Sequence, residues 1–160
     1  ALDPALTAHA DVVSALVRAR LTSVIREDIG DTYSPYAISY SATDPDPVVE
    51  TYVNVSGSPS RIGEIANLVT LELDDLAANG PSDAEFTAAF AEVDESYNFV
   101  DNGQFLEALV NDALDPTGQP VTDYLAHFSA LDVVSADSVQ AFIADHISTD
   151  AYVLVTVVPR

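Results

Sequence analysis

The spacing of apolar residues changes character several times along the chain, and each change marks an element. Leu6, Val13, Leu16, Val17, Leu21, Val24 and Ile25 recur at helical spacing, which predicts a long helix over roughly residues 5–28. Gly30 suits the end of that helix, because glycine tolerates the positive φ found just past a last turn. The period then switches to two. Tyr36, Ile38 and Tyr40 fall on one face and Ala37, Ser39 and Ser41 on the other, which predicts a strand. Asp44-Pro45-Asp46-Pro47 supplies a turn, and Val49, Thr51, Val53 and Val55 share one face of a second strand. Adjacent strands joined by so short a turn are expected to pair antiparallel.

Helical spacing returns after Ser58-Pro59, a serine N-cap followed by proline at the first helical position. Ile62, Ile65, Val69, Leu73 and Leu76 form the buried stripe, and Asn79-Gly80-Pro81 ends the helix. Ser82-Asp83-Ala84-Glu85 is a capping box, opening a helix whose face carries Phe86, Phe90, Val93 and Tyr97. A further helix with Phe105, Leu106, Leu109 and Val110 is expected from near Asp101. Pro116, Gly118 and Pro120 make a loop, and residues 121–130 read as a short helix. Ser135 caps another helix, with Val139, Phe142, Ile143 and Ile147 inward. Residues 151–158 are an unbroken valine-rich run, the pattern of an interior strand. The order predicts an α+β fold, a two-layer sandwich with helices packed on one face of a small, mainly antiparallel sheet.

Length and composition fit one domain. A chain of 160 residues buries roughly 70% of its unfolded surface. No linker and no internal repeat divides it, and no apolar run reaches the ~18–20 residues that cross a bilayer. The start, Ala1-Leu2-Asp3-Pro4, has neither an initiator methionine nor a signal-peptide pattern, so the expectation is a fragment of something longer. With 26 acids against five basic residues, all arginine, the net charge is −21. Such a field repels nucleic acid and anionic membrane. The scattered acids suit either a solvated, aggregation-resistant surface or a wall that attracts cationic peptides. The chain has no cysteine, which excludes disulfides, thiolate metal sites and cysteine nucleophiles.

The most informative stretch is Arg26-Glu27-Asp28-Ile29-Gly30-Asp31-Thr32-Tyr33-Ser34-Pro35, at the passage from helix to strand. Its R-x-x-x-G-x-x-Y pattern, carried by Arg26, Gly30 and Tyr33, resembles the substrate-binding half of pitrilysin/insulinase-type zinc peptidases. Asn79-Gly80-Pro81-Ser82-Asp83-Ala84-Glu85 resembles that family's join between two helices. Asn102 followed by Phe105 and Leu106, and a closing strand ending in Pro159, are similar to its bacterial periplasmic-type members. The resemblance implies a metalloprocessing-peptidase-like fold and a C-terminal, non-catalytic domain. It implies a partner, a zinc-bearing N-terminal catalytic domain in the same polypeptide or a separate subunit. A peptide would be the substrate, and the location would be outside the cytoplasm. Arg26 and Tyr33 would be the substrate-binding residues. One departure stands out: the strand that opens the family's domain has no counterpart before the first helix, which exposes a sheet edge.

By their chemistry, Arg26 can donate several hydrogen bonds to peptide carbonyls and Tyr33 can donate its phenol to a developing oxyanion. The plain alternative pairs Arg26 with Glu27 or Asp28 and packs Tyr33 at a strand start. No catalytic and no metal-binding residue is assigned to this chain, and zinc is expected only on the partner. His9, His127 and His146 lie apart, none in H-x-x-E-H or H-E-x-x-H, and read as surface or helix-end residues. Asp44-x-Asp46 is too short for a calcium loop. There is no G-x-S-x-G elbow and no phosphate-binding glycine loop. An inactive structural or regulatory subunit of the same fold is the alternative to an enzyme component.

Overall fold

A computed structural model describes residues 3–26, 35–42, 48–98, 103, 106–107, 110–111, 114, 126, 129–147, 149 and 152–157. Helix α1 runs over Pro4–Val24. Asp3 caps it, accepting from the Ala5 amide at 2.9 Å, and Pro4 takes the first position, where its missing N–H costs nothing. Ile25 and Arg26 carry the chain on in one wider turn. The expected end at Gly30, like the Asp44–Pro47 turn, lies outside the described residues. Strands β1 (Tyr36–Ala42) and β2 (Val48–Asn54) pair antiparallel in the register Tyr36↔Asn54, Ser39↔Thr51, Ala42↔Val48. Next come α2 (Ile62–Asn79), α3 (Asp83–Asn98), a 3-10 turn at Leu131–Val133, and α4 (Ala136–His146). The result is the expected α+β arrangement, helices on one face of a two-stranded antiparallel sheet.

Helix α1 is the hub, touching β1 and each of the other three helices. Its alanines explain how one helix serves so many neighbours. Ala8, Ala10 and Ala15 are buried beside Val12, Val13, Leu16, Val17 and Leu21, so small residues let neighbours close in between the large ones. On the sheet side the fit is closest. Ala37 and Ser39 of β1 face α1, and the Ser39 amide donates to the Ser14 hydroxyl at 2.7 Å. Ser39 Oγ also lies 2.8 Å from Thr51 Oγ1, so the one buried polar side chain among the described residues is satisfied. Tyr36 and Tyr40 consequently point away from the helices.

Helices α2, α3 and α4 match the sequence pattern, the helices expected from near Asp101 and over residues 121–130 lie largely outside the described residues, and two differences stand out. Ile65 and Leu76 are buried on α2, with Ile62, Val69 and Leu73 packed alongside, and the helix ends at Gly80 with φ 73°. Ser82 and Glu85 form the expected box at the head of α3, and Ser135 and Ser138 form one at the head of α4. The start of α2 is the first difference. Ser58 does not cap it; its hydroxyl meets Ser60 Oγ at 3.0 Å, and α2 begins only at Ile62, behind an Arg61 that offers no side-chain cap. A turn closed by the Arg61 amide on the Ser58 carbonyl (2.9 Å) intervenes. The chain has to pass Ile65 closely at Gly57, where a Cβ would overlap the isoleucine, before it can turn into the helix.

The second difference is the C-terminal run. Residues 152–157 form no strand and are open to solvent, Val153 at 89% and Val157 at 88% exposure. Valine supplies the propensity for a strand, but a strand exists only through a ladder to a neighbour, and the sheet among the described residues contains β1 and β2 alone. The described residues of the 103–114 segment, Leu106, Val110 and Leu114 among them, are also exposed. No helix among the described residues is long and apolar enough to cross a membrane.

Candidate functional site

The sequence places its candidate site where α1 hands over to β1. Buried Ile25 fixes the end of the helix, and Arg26, the next residue, is exposed. Its guanidinium is therefore presented to solvent from a rigid base. Gly30 and Tyr33 lie outside the described residues, as do all of residues 27–34. Beyond Pro35 the chain enters the sheet as β1.

That outer face was half legible. Alternation groups Tyr36, Ile38 and Tyr40, and the register sets them beside Asn54, Tyr52 and Glu50. Tyr36, Tyr40 and Tyr52 are 50%, 43% and 52% exposed. The Tyr36 and Tyr52 rings meet edge-on, 6.4 Å apart. Asn54 Nδ2 donates to the Tyr52 hydroxyl at 3.2 Å, and the Tyr40 hydroxyl donates to Glu50. That bond to the carboxylate raises the Tyr40 phenol above its ordinary pKa.

A second constellation has no signal in the sequence pattern. Arg20 projects from α1 into a ring of carboxylates and is nearly buried, its side chain 11% exposed. Its Nε and Nη2 bind Glu85 in a fork at 2.7 and 2.9 Å, Nη1 binds Asp75 Oδ2 at 2.7 Å, and Glu72 stands at 3.8 Å. Glu85 also accepts from the Ser82 amide at 2.9 Å and its hydroxyl at 2.6 Å. The Arg20 hydrogen bonds are the main cause that takes the Glu85 carboxyl down to about 2; the Ser82 bonds add to it, and burial opposes. Asp75 is lowered by Asn79 first and Arg20 second, and Arg20 itself is held above its ordinary value chiefly by its bond to Glu85. This clasp ties α1 to α2 and α3 and is structural.

The two described histidines, His9 and His146, are held by packing contacts, and His9 not in the way expected. His9 is half-buried in the second turn of α1, neither at the surface nor at a helix end. Its Nδ1 lies 2.6 Å from the Ala5 carbonyl, so Nδ1 carries a hydrogen, and Nε2 lies 2.9 Å from the Ser138 hydroxyl. Phe142 stacks on His9 at 5.9 Å and touches His146, the last residue of α4, at 4.8 Å. His127 lies outside the described residues. Among the described residues no three His, Asp or Glu side chains come together as metal ligands. A shallow cleft of about 330 Å³ between α1 and α3 is lined by Asp11, Ser14, Arg18, Glu92 and Ser96. The Arg18–Glu92 ion pair spans it and takes up its one cation.

The fold is a two-layer α+β domain built around a central helix, with an exposed arginine at the end of that helix and tyrosines exposed on the outer sheet face. The fold is similar to part of a solved structure, the periplasmic protease PqqL from Escherichia coli, with a TM-score of 0.67 at 17% identity. The match covers 91% of this chain and 16% of that one, so the chain corresponds to a small part of that protease. No family model and no curated protein matches the sequence.

Proposed function

We propose that this chain is a substrate-binding, non-catalytic domain of a zinc-dependent metalloendopeptidase of the pitrilysin type, acting on peptides. The observation that carries the reading is the fold match, which relates 91% of this chain to part of a periplasmic protease. The Arg26-x-x-x-Gly30-x-x-Tyr33 corner supports it independently, because its spacing resembles a substrate-binding corner and Arg26 is exposed. In this reading a partner domain holds the zinc, which there polarises the scissile carbonyl. Arg26 binds peptide carbonyls through its fixed fork of donors. Tyr33 donates its phenol to the oxygen that becomes negative in the transition state. The location outside the cytoplasm belongs to the same proposal.

Two measurements test it. The purified chain is expected to bind no stoichiometric zinc and to cleave no peptide; tight zinc binding with chelator-sensitive cleavage would overturn the assignment. In the complete enzyme, Tyr33→Phe is expected to lower turnover about tenfold or more, since it removes one oxyanion donor. Unchanged kcat and KM would remove Tyr33 from the mechanism. Absence of any H-x-x-E-H domain in the same gene or its neighbours would favour the inactive, structural subunit instead.

A further inference from the structure

The outer sheet face is unusual for what it leaves in water. The inner face of β1 uses Ala37 and Ser39, while the large rings of Tyr36, Tyr40 and Tyr52 stand outside with Val48, itself 44% exposed. Rings grouped on one exposed face, rather than scattered singly, are a mark of an interaction surface. The rings are held rather than loose. Tyr36 and Tyr52 brace each other edge-on, Asn54 holds the Tyr52 hydroxyl, and Glu50 holds that of Tyr40.

Charge decides what this face can take. The cross-strand rows Tyr36–Ile38–Tyr40 and Asn54–Tyr52–Glu50 contain a carboxylate and no cation. Aromatic faces carry negative potential, which attracts ammonium and guanidinium groups. The chain as a whole carries −21, and three of its five basic residues, Arg18, Arg20 and Arg61, are already paired with their own chain's carboxylates. A second copy would bring another −21, and nucleic acid or an anionic membrane would be repelled in the same way.

We propose that the outer face of the β1–β2 hairpin docks a cationic, extended polypeptide segment, its Lys or Arg side chains lying over Tyr36 and Tyr52 and pairing with Glu50. This narrows the substrate class and rests on the peptide-binding reading above. An extended segment suits the face because side chains on one side of a strand recur at the same interval as Tyr36, Ile38 and Tyr40.

The test is a titration of the ¹⁵N-labelled chain with three peptides of equal length, alternating Lys-Thr, Gln-Thr and Glu-Thr. The lysine peptide is expected to bind, with amide shifts concentrated in β1 and β2 and an affinity that falls as salt is raised. Tyr52→Ala and Glu50→Gln, both at exposed positions, should each weaken it about two- to fivefold. Glu95→Gln, exposed on α3, should leave it unchanged. Equal binding of the glutamine peptide would overturn the charge preference and leave peptide binding standing. Shifts spread over the helices, or an equal loss in Glu95→Gln, would mean diffuse attraction and overturn the docking surface. Binding of none of the three would remove both this inference and the peptide-binding reading of the isolated domain.

Discussion

Leu16→Ala is expected to lower the unfolding free energy by about 3–4 kcal/mol, among the largest effects open to a single substitution here. Leu16 is 1% exposed and lies midway along α1, the helix that every layer of the fold touches. Truncation removes apolar contact and leaves a cavity that cannot collapse easily, because Val12, Val13, Val17 and Leu21 around it are themselves fully buried. In a domain of this size each kcal/mol moves Tm by about 2–4 °C, so a fall of roughly 10 °C is anticipated in calorimetry. The secondary-structure signal should survive at low temperature, since alanine is the better helix former. A loss below about 1 kcal/mol, far under the range for a buried leucine, would mean that α1 is not the hub.

The same hub explains what could be read in advance. Helix α1, the two paired strands, the capping box at Ser82 and the cap at Ser135 are local patterns, set by residues within a few positions of one another. Those carried through. One local signal failed, the Ser58 cap, where a tight turn delays α2 to Ile62; the other failures depended on distant partners. Arg20 lies within the apolar stretch of α1, and nothing near it announces that Glu85, 65 positions away, closes on it. The capping-box glutamate was legible as a cap, but not as one end of an ion pair. His9 was misplaced for the same reason, since Ser138, its partner, is 129 positions distant. Residues 152–157 have the composition of a strand without a paired neighbour among the described residues, and composition cannot supply one. Of the candidate site, Arg26 is exposed, its role and that of Tyr33 stay proposals, and the tyrosine face needed the structure to say which side of β1 meets the helix.

Arg20→Ala should be nearly as costly, about 3 kcal/mol, for an electrostatic reason rather than a cavity. Removing the guanidinium takes away the cation that Glu72, Asp75 and Glu85 share. The three are 22%, 50% and 32% exposed, so water relieves part of the repulsion, and the lower end of the range for broken buried pairs applies. Arg20→Lys should recover only part, because an ammonium cannot reproduce the two-bond fork on Glu85. The clasp also has a pH signature whose sign is fixed. Glu85 titrates at about 2 in the fold against an ordinary 4.5. Its contribution is therefore complete above about pH 4.5 and disappears as pH falls through about 2. Acidification also relaxes the general repulsion of a chain carrying −21, which acts in the opposite direction. The useful quantity is thus the difference in stability between the native chain and Glu85→Gln, in which that background largely cancels. It should be steady from about pH 7 to about 5 and shrink towards zero near about pH 2. A difference that stays flat over the whole range would place the stabilising effect of Glu85 in its shape and not in its charge, and the clasp would reduce to the Ser82 cap alone.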